Sequence, residues 1–563
     1  MRSILGIWDG HDSGAALIAD NKVLFAINEE RLSRRKLEIA FPDRSIAACL
    51  AYAKRSPEEI WDVAISTSDV AKTVARIIPS LREEYYLIRR RKKGPGKITF
   101  LKKQFKYKLT EYPPLAPTRW LSRYNVRQNM KKLGFRDFHL HLVDHHHSHA
   151  ATAAFCSGFE RGLVITLDGL GDGLSGSIYA FRDGTLENLS SIPARHSLGI
   201  FFEHVTNLMN MRELEDEGKV MALANYAYPV DDAENPMMGL IEVNGLSIEC
   251  RHTSLGMYKK LRKILWHYPS EQFAHMAQRT LEVKIEALVK NAIQSTGLNR
   301  LCLAGGVFSN VKVNRLLRML PEARECFVFP HMGDGGLALG AALVANHGMN
   351  GSHHVPLQNL FLGPEYSEPE IEEVLRKGNL SYQKSTDIVK EVAEIIGGGD
   401  VVPWFQGRME LGPRALGARS ILSRPDSETI KDELNLKLKK RVWYQPFCPT
   451  MLEEDAEELL EDYDGRPNTF MTMAYMVRER KRDLVRGVIN VDGSCRPQIL
   501  PLDDSPFVRL LKEIKKKTGH GVLLNTSFNL HGEPLVCSPE DALSTFVRTK
   551  SKYMAMGSFL IMK

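Results

Sequence analysis

Apolar positions along the chain come in short runs separated by glycine, aspartate and asparagine. Residues 3–8 form one such run and predict a buried strand. Gly10 to Gly14 follow as a turn. Ala15 to Ile18 and Val23 to Ile27 predict two further strands joined by the Asp20-Asn21 turn. The pattern then recurs. Gly162 to Leu167 is a second apolar strand ending at Asp168, followed by the glycine-rich stretch Gly169 to Gly176. Tyr179 opens a further hairpin strand with Asp183-Gly184 as its turn. A strand, a turn and a hairpin occurring twice suggest an internal duplication.

Farther along, Leu301 to Leu303 predict a short strand running into Ala304-Gly305-Gly306-Val307, with a helix from about Asn310. Phe327 to Phe329 predict another strand, before Gly333-Asp334-Gly335-Gly336 and a small-residue helix from Leu337 to Ala345. A strand, a glycine turn and a helix N-terminus present backbone N–H groups to phosphates. Gly305, Gly306 and Gly335 are therefore candidate nucleotide contacts. The polar, glycine-rich residues His347 to His354, with Pro356 and Pro364 beyond, predict a boundary. The expected organisation is α/β throughout: one domain over residues 1–350, a linker over 351–365 and a second α/β domain over 366–563.

Composition narrows the class. With 563 residues, 43% hydrophobic and 25% charged, the chain reads as an ordinary soluble globular protein of two or three domains. A formal net charge of +7 does not by itself imply nucleic acid. Eight cysteines without a CxxC pair suggest reduced thiols and a cytoplasmic protein. No stretch suggests a signal peptide or a membrane span. One segment stands apart. Arg89 to Lys108 is strongly basic and suggests either a solvated loop insertion or a surface for RNA or another anion.

The densest chemistry lies in Asp144-His145-His146-His147-Ser148-His149-Ala150. In a helix, His145 and His149 share one face, the spacing that offers two imidazoles to one metal ion. Asp144 would be the N-cap. The glutamate of metalloprotease helices is missing. A solvated histidine cluster is the alternative. Asp168 and Asp334, each expected at a strand end, would complete two imidazoles and two carboxylates, a set suited to Fe(II), Mn(II) or Zn(II). In the second domain, Gly407 to Ser420 interleaves arginines with glycines, and Lys437, Lys439, Lys440 and Arg441 follow. Arg496 and Asn525-Thr526-Ser527-Phe528-Asn529 come later. Arginine forks near glycine suit a multiply anionic ligand.

Over nearly its whole length the chain resembles the NodU/CmcH/TobZ O-carbamoyltransferases. The matching stretches are Asp9-Gly10-His11-Asp12-Ser13, Asp144 to Ala150, Glu217-Gly218-Lys219-Val220-Met221 and Leu303 to Val307, with Gly333 to Gly336, Gly407 to Ser420 and Asn525 to Asn529. The resemblance implies an actin-like ATPase (ASKHA, Kae1-like) duplicated α/β domain followed by a YrdC-like α/β domain. It implies that ATP, with Mg, and carbamoyl phosphate give carbamoyl adenylate and pyrophosphate in the second domain. The first domain then passes the carbamoyl group to a hydroxyl of a small-molecule or sugar-like acceptor and releases AMP. It assigns His145, His149, Asp168 and Asp334 to a metal, usually iron, and places His11 beside the acceptor.

On this reading His11 acts as general base. Lys219 pairs with a phosphate, and His146 is left for substrate or phosphate contact. Arg414, Arg419, Lys439, Arg441 and Arg496 hold carbamoyl phosphate and nucleotide, with Asn525 and Ser527 adding neutral hydrogen bonds. Cys448, in Gln445-Pro446-Phe447-Cys448-Pro449, stands where relatives often have alanine. Two other readings are open: a tRNA-modifying enzyme of the threonylcarbamoyl type, which the basic segment would favour, and a non-catalytic nucleotide-dependent binding protein. The expected partners are ATP, carbamoyl phosphate and a hydroxylated acceptor, without nucleic acid or membrane. A homodimer is left open.

Overall fold

The structure is a computed structural model that describes residues 3–94, 96 and 99–563. The chain divides into two units, Met1–Ser33 with Leu37–Gln358, and Arg34–Lys36 with Asn359–Lys563.

The first unit is built on two five-stranded sheets. The first has β1 (Ser3–Trp8), β2 (Gly14–Ala19), β3 (Lys22–Asn28), β4 (Asp62–Ser66) and β5 (His139–Val143) in the order β3-β2-β1-β4-β5. The second has β6 (Arg161–Gly171), β7 (Leu174–Arg182) and β8 (Thr185–Pro193). After a small hairpin, β9 (Ile241–Asn244) and β10 (Ser247–Cys250), it is completed by β11 (Arg300–Ala304) and β12 (Glu325–Val328). Its order is β12-β11-β6-β7-β8. Both sheets thus read third, second, first, fourth, fifth. In each, the first two pairings are antiparallel and the last two parallel. The repeated hairpin in the sequence is the visible part of this duplication. Its parallel strands are not legible as pairs, because crossovers of dozens of residues separate them.

Two helices lie at the heart of this unit. Leu337–Asn350 packs on β1 and β4 and crosses His145–Phe155. The crossing is close because Gly340 has no side chain: a Cβ there would lie 2.2 Å from the Ser148 carbonyl oxygen. Gly340→Ala is therefore expected to lower stability by about 1–3 kcal/mol through overpacking. It should also loosen the histidine helix. Thermal unfolding together with bound-metal analysis tests this, and an unchanged Tm would show that the helices move apart freely.

The second unit carries β13 (Ser381–Lys384), β14 (Val402–Phe405), β15 (Arg419–Ser423), β16 (Cys448–Leu452), β17 (Tyr475–Met476), β18 (Ser494–Cys495), β19 (Gln498–Leu500), β20 (Val522–Ser527), β21 (Tyr553–Met556) and β22 (Phe559–Met562). Eight of them form one mixed sheet in the order β13-β22-β21-β14-β15-β20-β16-β19. The helices Ile388–Gly397 and Pro506–Thr518 bury Val392, Ile396, Phe507 and Leu511 against Trp404, Leu422 and Leu523 of that sheet. Among the described residues, no helix is long and apolar enough to cross a membrane.

Four sequence expectations need correction. Asp168 does not end a strand. It lies within β6, where the pairing with β7 lapses between Leu167 and Gly171. Such an irregularity turns a side chain out of the ladder. Asp334 does not end β12 either: β12 stops at Val328, and Asp334 opens a 3-10 turn, Asp334–Gly336. The small-residue helix runs on to Asn350, through residues expected as boundary.

The basic segment is not a solvated loop. Its described residues include the end of helix Pro79–Arg89 and most of helix Thr99–Thr110, while Pro95, Lys97 and Ile98 lie outside the described residues. Arg90 pairs with Glu215, and Lys103 pairs with Glu203 and Glu213. Arg90 and Lys103 are therefore answered by carboxylates within the unit.

Candidate metal centre and arginine pocket

The histidine helix begins directly after β5. Asp144 takes the N-cap position, but its side chain caps nothing: it is exposed and pairs with Arg119 at 3.0 Å. The helix start is held from elsewhere. The His145 N–H donates to Asp172 Oδ2 at 2.8 Å, and the Ser68 and Asp69 N–H groups donate to Asp172 Oδ1 at 3.1 Å each. Asp172 sits at φ +53°. Burial, together with Asp69, raises its carboxyl to about 6, against the His145 charge and the His145 and Ser68 N–H groups. Its neighbour Gly171 must be glycine, because a Cβ would meet the His145 ring at 2.2 Å. Sequence reasoning missed Asp172. The signal was a Gly-Asp-Gly turn inside a glycine-rich stretch, and its partners lie about a hundred residues away in the chain.

His145 and His149 project from one helix face onto Asp168 and Asp334. His145 Nε2 lies 3.1 Å from Asp168 Oδ2 and 3.6 Å from Asp334 Oδ1. His149 Nε2 lies 3.7 Å and 3.6 Å from the same two oxygens. All four ligand atoms fall within 4.8 Å of one another. Ligands bound at about 2.1 Å to one ion stand about 3.0–3.4 Å apart at octahedral to tetrahedral angles. The four imidazole–carboxylate distances, 3.1–3.7 Å, lie within a few tenths of an ångström of that range. Two buried atoms, His149 Nε2 and Asp334 Oδ1, have no hydrogen-bond partner, which is costly unless a cation satisfies both.

The surrounding contacts orient these ligands. Thr67 Oγ1 lies 3.1 Å from His145 Nδ1, so Nε2 is left to face the centre. The Gly306 N–H donates to Asp168 Oδ1 at 2.9 Å, leaving Oδ2 for the cluster. Without an ion, burial opposes charge on His145. Asp334 and Asp168 outweigh that and raise the imidazole to about 9. Burial likewise opposes charge on Asp168, yet both histidines hold its carboxyl well below the usual range. The two acids thus already attract a cation. Asp172→Ala should weaken metal binding about 10–100-fold by freeing the helix start, whereas Asp172→Asn keeps an acceptor there and should lose less. Equal metal affinity in all three proteins, measured by competition with a chelator, would count against this role.

Asp334 serves both sides of the centre. While Oδ1 faces the two imidazoles, Oδ2 lies 3.4 Å from His11 Nδ1. Burial lowers the pKa of His11, against the pull of Asp334, so the ring is neutral at physiological pH. His146 points elsewhere. Its Nδ1 lies 2.9 Å from Thr166 Oγ1, and burial and the two neighbouring imidazoles hold it well below the usual range. His331, which sequence reasoning also missed, contacts Asn28 Oδ1 at 2.9 Å and fills the space a Cβ on Gly335 would need. Gly305, at φ +101°, lets its loop approach Leu167: a Cβ would lie 2.1 Å from that carbonyl. Lys219 pairs with Asp216 at 2.7 Å.

The second unit gathers other cations. Arg496 donates to Cys448 Sγ from Nε at 3.2 Å and from Nη2 at 2.8 Å. Burial and then Arg496 depress Arg414 to about 9. Burial, together with Arg496, depresses Arg441 to about 10, against Cys448. Arg441 rests over Phe447 at 4.2 Å, and its Nη2 is buried without a hydrogen-bond partner. Across the ladder from Cys448 stands Asn525, whose Oδ1 is also unpartnered. Lys439 donates to the Ser527 carbonyl and to Asn529 Oδ1, and Ser527 Oγ donates to Asn529 Oδ1. Arg419 is fully buried on Phe405, its Nη1 donating to the Gln406, Gly407 and Ala418 carbonyls. It braces the loop. A second group, Asp455, Glu458 and His520, could also surround an ion, but Lys515 and Lys481 already pair with its carboxylates.

The chain thus holds two α/β units, one with a two-histidine, two-carboxylate cluster that could hold a metal ion and one with a cluster of buried arginines. The particular family follows from comparison. Residues 3–343 match the carbamoyltransferase N-terminus and residues 393–563 the carbamoyltransferase C-terminus, so the chain belongs to the carbamoyltransferase family. It is 32% identical to the nodulation protein NolNO of Sinorhizobium fredii, over 98% of this chain and 79% of that protein. It is 35% identical to the nodulation protein NolO of Bradyrhizobium diazoefficiens, over 75% of this chain and 79% of that protein. Similarity to solved structures is distant. The (R)-2-hydroxyglutaryl-CoA dehydratase component A of Acidaminococcus fermentans matches 61% of this chain and 97% of its own, with 13% identity and a TM-score of 0.34.

Proposed function

We propose that this carbamoyltransferase is an ATP-dependent O-carbamoyltransferase working in two half-reactions. In the second unit (YrdC-like, residues 366–563), Arg414, Arg441 and Arg496 hold carbamoyl phosphate and ATP–Mg; water cleaves carbamoyl phosphate to carbamate and inorganic phosphate, and the carbamate oxygen attacks the α-phosphorus of ATP, so that carbamoyl adenylate forms with release of pyrophosphate. In the first (actin-like and Kae1-like, residues 1–350), an acceptor hydroxyl attacks the carbamoyl carbon and AMP leaves.

The observation that carries this reading is the shared carboxylate: Asp334 faces the two imidazoles with one oxygen and His11 with the other. With Nδ1 turned to Asp334, His11 Nε2 is the nitrogen that takes the proton from the acceptor hydroxyl. His145, His149, Asp168 and Asp334 would hold the metal, Fe(II) foremost, with Mn(II) and Zn(II) compatible with the same donors. Bound there, the ion supplies charge neutralisation and orientation for a phosphate. Gly305, Gly306 and Gly335 line the turns from which backbone groups reach the nucleotide, and Lys219 supports its phosphates. The acceptor is a small hydroxylated compound. A tRNA substrate is disfavoured because Arg90 and Lys103 are already paired with glutamates.

Incubation with carbamoyl phosphate, ATP, Mg and Fe(II) should release pyrophosphate only when both substrates are present. Mass spectrometry of a supplied metabolite pool should find one compound gaining one carbamoyl group. Pyrophosphate that forms without carbamoyl phosphate, or never forms, rejects the adenylate route.

A further inference from the structure

Asp9, at the end of β1, is buried and shared by three cations. Arg76 grips it with two hydrogen bonds, Nε to Oδ2 at 2.9 Å and Nη2 to Oδ1 at 3.0 Å. Lys72 Nζ stands 2.8 Å from Oδ1, and Arg82 Nη1 stands 4.0 Å from Oδ2. Arg76 is otherwise saturated by the Thr67 and Ser66 carbonyls and Ser122 Oγ. Lys72 and Arg82 are not. Beyond Asp9, Lys72 has the face of the Trp8 ring, 4.2 Å away, and Arg82 Nη1 makes no hydrogen bond although it is buried. The side chains of Lys72 and Arg82 are only 11% and 12% exposed. Asp43 also feels Arg82, but it is shared with Lys132. Three largely desolvated cations against one contacting carboxylate leave a surplus that is costly without an anion. The strain shows on Lys72: burial, with Arg76 and Arg82, lowers it to about 8 against the pull of Asp9.

The cluster lies on the His11 side of the centre. Trp8 Nε1 donates to the His11 carbonyl at 2.8 Å, and the Trp8 ring packs edge-on at 5.9 Å from the His145 ring. A positive surplus on the side of the general base is placed for the acceptor.

We propose that Lys72 and Arg82 form an oxyanion subsite, and that the hydroxyl compound carbamoylated by this enzyme carries a carboxylate or a phosphate. The inference rests on the proposed O-carbamoyl transfer. Calorimetry on the metal-loaded full chain tests it with glucuronate, glucose 6-phosphate, glucose, glucosamine and AMP. At least one acidic sugar should bind tenfold or more tighter than glucose and glucosamine. In Arg82→Gln that gap should shrink below threefold while AMP affinity holds. Lys72→Gln, checked for an unchanged melting curve, should do the same. Equal affinity for all the sugars, no binding by any, or a preference for glucosamine overturns the proposal. So does a parallel loss of AMP binding in Arg82→Gln, which would give the cations to the nucleotide. Pyrophosphate release, followed in the same preparations, reports separately on the proposed reaction.

Discussion

His149→Ala should abolish carbamoyl transfer while pyrophosphate release continues. His149 is 1% exposed, and its Nε2 has no partner other than the space it shares with Asp168 and Asp334. Removing it takes away one of four donors and leaves two carboxylates facing a single imidazole. Even a change in the surrounding shell costs about 10–100-fold in metal affinity, so loss of a donor should exceed that. The arginine pocket belongs to the other unit, so adenylate formation should survive. His147→Ala is the control: His147 points away from the cluster and stacks on Tyr179 at 6.4 Å. It should keep its metal after dialysis, and His149→Ala should not. Transfer that persists in metal-free His149→Ala would reject the ligand assignment.

Arg441→Met should give the complementary phenotype, with pyrophosphate formation falling by about 10²–10⁴ and metal content unchanged. Arg441, Arg414 and Arg496 stand close enough that Arg496 depresses each of the other two, and Cys448 offers only a weak counterweight. On the proposed reading, bound phosphates would relieve that mutual repulsion. Truncating Arg441 should therefore leave thermal stability equal or raised while activity collapses. A lowered Tm with proportionate loss of activity would instead make Arg441 a structural residue. Adding pyrophosphate should raise the Tm of the wild type more than that of the variant.

The histidine pair was legible in the sequence because helical spacing alone puts residues four apart on one face. The duplication was half legible: each hairpin is local, whereas β4, β5, β11 and β12 join their sheets through long crossovers. Asp168 was found for an incomplete reason, as a strand end. It is the lapse in pairing between Leu167 and Gly171 that frees its side chain. Asp172 and Thr67 were not legible, because each acts on His145 across long stretches of chain. The basic segment, expected as a solvated loop insertion or an anion surface, is in good part helical, and charge counted along the sequence says nothing of those helices or of the glutamates that pair with Arg90 and Lys103.

What the sequence by itself determined is therefore local or cumulative. It set the donor types, their helical spacing, the glycines that admit close backbone approach, and a family likeness spread over the whole chain. The tertiary structure decided which oxygen of Asp334 faces the imidazoles and which faces His11. It also decided that Asp172 rather than Asp144 holds the helix start, and that Lys72 and Arg82 must share Asp9 with Arg76. These depend on distances of a few ångströms between residues far apart in the chain. Only packing brings such groups together, and only their surroundings decide which charges are answered and which are left for a ligand.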